Sequence, residues 1–360
     1  MSIDVSSANT VEVGYDEFCG ALASHDLQAL WSLQRQLMPN VPIPSTRPWL
    51  WKWDTIFPLA RRAGEIITIE RGGDRRVLAL ANPGLGGLPF TSTTLWGAIQ
   101  YLGPGESAPA HRHTPSAVRF VMTGSGVYTT VDGDACEMEP GDLILTPNWM
   151  WHDHNNYGDE PMVWFDGLDL PLMVTLESIF FENHPDLQQP VRGHNLSEQL
   201  YSGPALAPSG HESDPLNSPL LRYSWRRTEQ QLEAQMAAEG GGEATVDYLN
   251  PATGGPAIRT FGCAMTRLAA GTHTPTRRRT GSLVHVVFRG TGRSVINGIE
   301  FEWGPGDIFV VPSWAKVEHE AVEQADHFVL NDRPVLDAFR LFKQEELAEQ
   351  QEVTEVFEPR

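Results

Sequence analysis

The spacing of apolar residues divides the chain into a short helical beginning and a long region of short strands. Leucines recur at helix-like intervals in the first forty residues, at Leu22, Leu27, Leu30, Leu33 and Leu37. Prolines between residues 39 and 48 cannot continue a helix, so we expect the helical segment to end there. Alternating tryptophans follow at Trp49, Trp51 and Trp53, in a segment predicted to be extended.

From about residue 75 onward, short runs rich in Val, Ile, Leu and Thr alternate with Gly, Pro, Asn and Asp. The pairs Asp132-Gly133 and Asn297-Gly298 lie between alternating runs, which is a strong short-range signal for a β-hairpin. This pattern predicts an antiparallel sandwich or barrel. Residues 224–239 are predicted to form a helix that the glycines at 240–242 end, and the Glu- and Gln-rich tail is also predicted to be helical.

An internal repeat organises the strand-rich region. Three motifs return in the same order at an offset of 165 to 168 residues. They are Asn82-Pro83 with Gly86-Gly87, repeated at Asn250-Pro251 and Gly254-Gly255; Gly124-Ser-Gly126, repeated at Gly290-Thr-Gly292; and Pro140-Gly141-Asp142, repeated at Pro305-Gly306-Asp307. The repeat predicts two copies of one β-domain, at 80–172 and 248–338. An N-terminal arm (1–79), a linker with a helix (173–247) and an acidic tail (339–360) complete the division.

The composition narrows the class of protein. The chain of 360 residues has 26 basic and 46 acidic side chains, a net charge of −20, which disfavours binding to nucleic acid or to an anionic membrane surface. Its three cysteines are too few for a disulfide framework, no apolar run is long enough to span a bilayer, and the first residues do not resemble a signal peptide. We therefore expect a globular protein of the cytoplasm.

The first repeat carries a pattern of histidines that indicates a metal site. It reads Gly105-x5-His111-x-His113, and later Gly141-x5-Pro147-x4-His152-x3-Asn156. Side chains at i and i+2 of a strand point the same way, so His111 and His113 enter one pocket, and His152 arrives from a later strand. Three neutral imidazoles suit Fe, Zn, Cu or Ni.

These two motifs resemble those of the cupin superfamily of small β-barrels, so the chain resembles a mainly β bicupin with a helical N-terminal arm, linker and tail. The first cupin motif ordinarily has a Glu ligand four residues after the second His, and that position is Ala117 here. The resemblance therefore implies a three-histidine site without a carboxylate. The glycine expected two residues after the motif proline is Trp149, so we expect a different turn there.

The second repeat lacks the same ligands. Aligned on its own glycines, it has Arg277 and Arg279 in place of the paired histidines and Val317 in place of the third. We therefore expect a second barrel without metal and with a structural role. The nearby His273, His285 and His319 are interpreted as ordinary polar residues.

The whole architecture resembles the bicupin ring-cleaving dioxygenases that act on gentisate, salicylate and 1-hydroxy-2-naphthoate. The similarity rests on the N-terminal arm, Trp51-Lys-Trp53, Asn82-Pro83 and an intact first cupin followed by a degenerate one. It implies Fe(II), a homotetramer, and insertion of O2 between the carboxyl-bearing carbon and the neighbouring hydroxyl carbon of gentisate to give maleylpyruvate. Three histidines on one face of octahedral iron leave three positions, which suits a 2-hydroxybenzoate and dioxygen.

Further candidates surround the predicted ligands. Arg119 has the same strand parity as His113 and is predicted to clamp the substrate carboxylate, and the resemblance gives Arg75 a similar role. His154 is a candidate acid or base, and Asp166 is expected to orient His154 or a ligand histidine. Alternating positions of one strand are expected to line the pocket for the aromatic ring: Trp96, Ala98 and Gln100.

Three alternatives to gentisate cleavage stay open. The same chemistry on salicylate or 1-hydroxy-2-naphthoate is the nearest, because the sequence identifies no partner for the 5-hydroxyl group of gentisate. A bicupin that binds a small ligand without catalysis is the second, although the intact set of three histidines argues against it. A zinc or manganese sugar isomerase is the third, and the missing Glu argues against that.

Overall fold

The computed structural model describes residues 5–67, 76–201, 203, 206, 208–209 and 217–359. The chain divides into two compact units, residues 1–43 and 44–360. The first unit contains helices α1 (Val5–Ala23) and α2 (Leu30–Leu37), in the region where the leucine spacing predicts helix. Phe18 and Trp31 stack with ring centroids 6.4 Å apart and join the two helices. Among the described helices, none is both long and apolar enough to cross a membrane.

The second unit is built from four six-stranded sheets, which form two barrels of two sheets each. The strands of the first barrel are β2 (Val77–Ala79), β3 (Trp96–Leu102), β4 (Ser107–His113), β5 (Ala117–Thr123), β6 (Val127–Val131), β7 (Asp134–Glu137), β8 (Leu143–Thr146), β9 (His152–Asn156), β10 (Met162–Leu168), β11 (Phe181–Asn183), β12 (Gly193–His194) and β13 (Arg222–Tyr223). One sheet has the order β13-β8-β5-β10-β3-β2 and the other β11-β4-β9-β6-β7-β12.

The second barrel repeats this plan. Its strands are β1 (Trp49–Trp51), β14 (Glu243–Asp247), β15 (Gly262–Leu268), β16 (Arg277–Arg279), β17 (Leu283–Arg289), β18 (Gly292–Ile296), β19 (Ile299–Trp303), β20 (Ile308–Val311), β21 (Val317–Ala321), β22 (Ala325–Asn331), β23 (Gln344–Glu346) and β24 (Glu355–Val356). The sheet orders are β1-β20-β17-β22-β15-β14 and β23-β16-β21-β18-β19-β24. The helices of this unit are α3 (Trp53–Ile66), α4 (Leu170–Thr175), α5 (Leu196–Tyr201), α6 (Trp225–Glu239) and α7 (Arg333–Ala338). The expected mainly β fold with two related barrels is confirmed.

The turn chemistry of the sequence explains the hairpins. Asp132-Gly133 connects β6 to β7 and Asn297-Gly298 connects β18 to β19, and all four residues have positive φ. Two consecutive left-handed residues give the tight turn whose twist matches that of the paired strands. Helix α6 ends where predicted, at Gly240, whose φ is +62°.

The two barrels exchange strands. β1 precedes the first barrel but pairs with β20 of the second, whereas β13 precedes the second barrel but pairs with β8 of the first. The repeated Pro-Gly-Asp motif anchors both exchanges, because Asp307 accepts from the backbone N–H of Trp53 at 2.8 Å and Asp142 from that of Trp225 at 2.8 Å. The segments expected to be an arm and a linker therefore each complete a barrel sheet.

The C-terminal tail is extended, and the expectation of a helical tail is wrong. β23 pairs antiparallel with β16, and β24 pairs parallel with β19. Without the tail, β16 and β19 would be the edge strands of this sheet. Hydrogen bonds to their exposed backbone groups stabilise an extended tail more than the helix preference of Glu and Gln stabilises a helix. The first barrel is followed by the same elements, since β11 pairs with β4 and β12 with β7. The duplication therefore extends beyond the predicted boundaries of both domains.

Aromatic side chains form the shared core between the barrels. Phe120 of β5 stacks on Phe328 of β22 with ring centroids 4.6 Å apart and planes 6° from parallel. Phe288 meets Phe120 edge to face at 5.4 Å. These rings are buried or nearly so, so one continuous hydrophobic core holds both barrels.

Candidate metal centre

Strands β4 and β9 bring the three predicted ligands together. His111 lies directly opposite His152 in the antiparallel ladder, and His113 is two residues further along β4 on the same face. The ring centroids are 4.4 Å apart for His111 and His152, 4.8 Å for His113 and His152, and 5.6 Å for His111 and His113. One nitrogen atom from each ring lies within 4.8 Å of the others.

Backbone carbonyls fix the orientation of these rings. Nδ1 of His111 lies 2.9 Å from the carbonyl of Pro109, Nδ1 of His113 lies 2.6 Å from that of Pro115, and Nδ1 of His152 lies 3.0 Å from that of Met150. A carbonyl can only accept, so Nδ1 carries the proton in each ring and Nε2 keeps its lone pair.

The protonation state of the rings also suits a metal. Burial lowers the pKa of His113 to about 4 and that of His152 well below its usual value, and neighbouring imidazoles add to both shifts. Nε2 of His152 is buried without a hydrogen-bond partner. Metal ligands must be deprotonated, and a buried, unpaired imidazole nitrogen is costly unless something binds it. The three residues therefore fit a divalent metal of the imidazole-binding class.

No carboxylate joins the three histidines. Ala117, at the position of the usual Glu, is buried on β5. In the part of the chain that the structure describes, the three histidines are the one group of three potential ligands close enough to share an ion. A metal bound there would keep its full positive charge for an anionic ligand.

A buried ion pair lies on the facing sheet. Arg119 of β5 is opposite Asp166 of β10, with Nε 3.5 Å from Oδ1, and Nη1 donates to Oγ1 of Thr146 at 2.6 Å. Burial lowers the pKa of Arg119 and raises that of Asp166 to about 6, while the attraction between them opposes both shifts. Nε of Arg119 is buried and makes no hydrogen bond, but it is the atom that faces the carboxylate of Asp166.

Trp164 shows which face of this sheet points at the metal centre. Its ring centroid lies 5.3 Å from that of His154, which is on the same strand as His152. In a sheet, a residue shares its face with the residue directly opposite on the next strand and with the residues two positions away on its own strand. Gln100 is opposite Trp164, and Ala98 is opposite Asp166. The predicted ring-pocket positions Trp96, Ala98 and Gln100 therefore lie on one inner face together with Arg119 and Asp166.

His154 is buried and held by a partner that the sequence did not identify. Nδ1 lies 2.8 Å from Oγ1 of Thr129, and that hydroxyl donates to Sδ of Met138 at 3.0 Å. Since the hydroxyl has a single proton and the thioether can only accept, Nδ1–H of His154 donates to Thr129 and Nε2 carries the lone pair. Burial, followed by the charge of Arg119, lowers the pKa of His154 well below its usual value.

The partners of Asp166 also differ from the expected ones. Oδ1 accepts from Nε1 of Trp164 at 3.0 Å and faces Arg119, and no described hydrogen bond joins it to a histidine. Arg75 lies outside the described residues. Thr129, Thr146 and Trp164 were missed by sequence reasoning, although each has the strand parity of an inward-facing residue.

The turn before His152 keeps the conformation expected of glycine. Trp149 has a φ of +63°, so the expectation of a different turn is wrong. The guanidinium of Arg112 lies 4.4 Å from the ring centroid of Trp149 and 4.4 Å from that of Trp151. These cation–π contacts offset the cost of a left-handed tryptophan.

The register of the second barrel agrees with the alignment of the repeats. Arg277 lies opposite Val317, as His111 lies opposite His152. Two of the nearby histidines, interpreted above as ordinary polar residues, lie close together inside this barrel. His285 and His319 form a cluster with His327, with ring centroids 5.1 to 6.1 Å apart.

Comparison with known proteins gives four findings. Residues 98–170 match the cupin domain family. The chain is 44% identical to a gentisate 1,2-dioxygenase from Streptomyces sp., over 94% of this chain and 97% of that protein. It superimposes with a TM-score of 0.88 on the crystal structure of a salicylate 1,2-dioxygenase from Pseudaminobacter salicylatoxidans, at 38% identity over 97% of this chain and 99% of the other. A structure of salicylate 1,2-dioxygenase adducts with gentisate gives a TM-score of 0.87 at 39% identity, over 97% of this chain and 96% of the other.

Proposed function

Because the chain belongs to the family of gentisate and salicylate 1,2-dioxygenases, we propose that it uses Fe(II) to cleave gentisate. The ring opens between the carboxyl-bearing carbon and the neighbouring hydroxyl carbon, and the product is maleylpyruvate. The observation that carries this proposal is the convergence of three imidazoles, each with Nδ1 bonded to a backbone carbonyl and with one ring nitrogen within 4.8 Å of those of the other two.

His111, His113 and His152 are the proposed iron ligands. Iron bound there would supply the redox chemistry and the coordination positions at which the aromatic acid and O2 react. With Ala117 in place of a carboxylate, the protein does not neutralise the charge of the site. The residues therefore favour a substrate that binds as a dianion.

Arg119 is the proposed partner of the substrate carboxylate. Its guanidinium is buried, and Asp166 and Thr146 hold it in place. A guanidinium fixed in this way orients a planar carboxylate by charge-assisted hydrogen bonds. Arg75 is proposed as a second partner of that carboxylate, from the family resemblance.

His154 is the proposed proton acceptor. Thr129 fixes its tautomer with the lone pair on Nε2, and burial keeps the ring neutral. A neutral imidazole in that state can take the proton of the ring hydroxyl group as the substrate binds. Asp166 supports the site indirectly, because it positions Arg119 and Trp164. Trp96, Ala98 and Gln100 are proposed to line the pocket for the ring.

Salicylate is the second candidate substrate, because the salicylate 1,2-dioxygenase structure superimposes on nearly the whole chain. The test is oxygen uptake by the Fe(II)-reconstituted protein with gentisate, salicylate and 1-hydroxy-2-naphthoate. We expect the highest kcat/KM with gentisate. A higher kcat/KM with either of the other acids would transfer the proposal to that acid.

Three further features are proposed. The composition supports a cytoplasmic location, the internal repeat supports the division into the arm, barrel, linker and tail segments predicted above, and the family resemblance supports a homotetramer. Large apolar side chains exposed in residues 5–43 are consistent with a subunit contact: Leu30, Trp31, Leu37 and Ile43. Light scattering coupled to size exclusion measures the tetramer, and a monomeric mass would contradict it.

A further inference from the structure

The second barrel contains a cavity of about 850 Å³, in the size range of small-ligand sites. It is lined by the positions that correspond, through the repeat, to the candidate metal centre. Arg277 and Arg279 take the places of His111 and His113 on the matching strand. The loss of the metal ligands has therefore left a pocket whose chemistry differs from that of the first barrel.

The same correspondence holds on the facing sheet. His285 on β17 lies opposite Val329 on β22, as Arg119 lies opposite Asp166 in the first barrel. His319 bonds Ser294 through Nδ1 at 2.7 Å, as His154 bonds Thr129. The ion pair of the first barrel is thus replaced by an imidazole and an apolar residue, and all of these positions except Ser294 line the cavity.

Three of the arginines that line the cavity are paired with carboxylates. Arg277 pairs with Glu243 at 2.8 Å, Arg278 with Glu345 at 2.6 Å and Arg333 with Asp337 at 3.1 Å. Arg279 has no carboxylate within 4.0 Å among the described residues, and its Nε is buried without a hydrogen-bond partner. A buried guanidinium donor without a partner is costly, and an anionic ligand would satisfy it.

The three histidines of the cavity are neutral. Burial lowers the pKa of His319 to about 4 and those of His285 and His327 well below their usual value. Both ring nitrogens of His285 and Nε2 of His327 are buried without partners. They can bind hydroxyl or carbonyl groups of a ligand, but they add no charge.

The walls of the cavity favour a ligand with an apolar body. Leu283, Val311, Ala315, Val317 and Val329 contribute apolar surface. Gly262 stands where the first barrel has Trp96, and the side chain of Asn331 lies beside it. The buried Nε of Arg279, the neutral histidines and the apolar walls together suit a small organic anion with an apolar body.

We propose that the second barrel binds an aromatic monocarboxylate without metal, with the carboxylate on Arg279 and the ring among the apolar walls and His285. This site is separate from the proposed iron centre, and binding to it does not depend on the dioxygenase reaction.

The test uses 3-bromobenzoate, which lacks the 2-hydroxyl group that a chelating substrate needs. Crystals of the iron-loaded protein are soaked in this acid, and the bromine is located by anomalous scattering. We expect a bromine peak inside the second barrel, with the carboxylate at Arg279. In solution, calorimetric titration should give at least a tenfold weaker Kd for Arg279→Leu than for the wild type, equivalent to ~1.4 kcal/mol.

Arg293→Leu is the matched control, because Arg293 is an exposed arginine of the same barrel that pairs with Glu300 and Glu320 away from the cavity. Its Kd should equal that of the wild type. The absence of bromine from the second barrel of the wild-type protein would overturn the proposal, whether or not Arg279→Leu folds. An unchanged Kd in a folded Arg279→Leu variant would overturn it as well.

Discussion

Arg119 lies directly opposite Asp166 across two neighbouring strands of the first barrel, with Nε 3.5 Å from Oδ1 and both side chains buried. The pair faces His154 rather than solvent, because Trp164 of the same strand face touches that imidazole. A buried ion pair is weak evidence for stability, since desolvation offsets most of its attraction. Because the ion pair lies beside the three histidines, we infer that its role is to hold the guanidinium of Arg119 rigidly at the site.

Arg119→Lys tests this role. The lysine keeps a positive charge opposite Asp166 but loses the planar fork that binds a carboxylate in two places. We expect KM for gentisate to rise about tenfold or more, with iron content unchanged. Steady-state kinetics and metal analysis measure both, with Arg293→Lys as the exposed control. An unchanged KM would remove Arg119 from the substrate site.

The repeat provides a matched pair of variants for the metal centre. His111→Ala removes a proposed ligand, whereas Arg277→Ala alters the residue at the same register of the second barrel. We expect His111→Ala to lose bound iron and Arg277→Ala to keep the wild-type amount, as measured by atomic absorption after anaerobic reconstitution. Loss of iron from Arg277→Ala alone would show that the metal is in the second barrel.

His154→Gln tests the proposed proton acceptor. The amide can fill most of the space but cannot accept a proton near neutral pH, so we expect kcat to fall by about 10²-fold or more. Iron content should stay at the wild-type level, because the three ligands are untouched. Thr129→Ser, which keeps the hydroxyl that bonds Nδ1, should retain nearly full kcat. Wild-type turnover by His154→Gln would contradict the assignment.

The buried histidines of the second barrel predict a dependence of stability on pH. Burial lowers the pKa of His319 to about 4, so between pH 4 and 6.5 the unfolded chain binds a proton that the folded chain does not. The free energy of unfolding therefore falls as the pH drops from 7 to 5, and His319 contributes ~1–2 kcal/mol of that fall. In urea unfolding, the free energy of unfolding of His319→Gln should fall between pH 7 and 5 by ~1–2 kcal/mol less than that of the wild type. An equal decrease in both proteins would mean that His319 is protonated in the fold.

Much of the site could be read from the sequence, because it depends on strand parity and on the repeat. The pairing of His111 with His113 needs only the two-residue period of a strand, and the same period places Arg119, Trp96, Ala98 and Gln100 inside. The repeat offset was enough to predict that Arg277 and Val317 replace two of the ligands, and their opposite positions agree with it.

The missed features depend on contacts between distant segments. The partnership of Thr129 with His154 requires the register of β6 on β9. The extended tail requires the exposed edges of β16 and β19, which local composition cannot reveal. Likewise, the strand exchange by β1 and the cluster of His285, His319 and His327 appear only once the barrels are assembled.

The incorporation of labelled oxygen tests the central claim most directly. The Fe(II)-reconstituted protein is mixed with gentisate under ¹⁸O₂, and the product is identified by mass spectrometry. We expect maleylpyruvate that carries both atoms of one O2 molecule, with one O2 consumed for each gentisate. A product with a single labelled atom, or no oxygen uptake with gentisate, salicylate or 1-hydroxy-2-naphthoate, would contradict it.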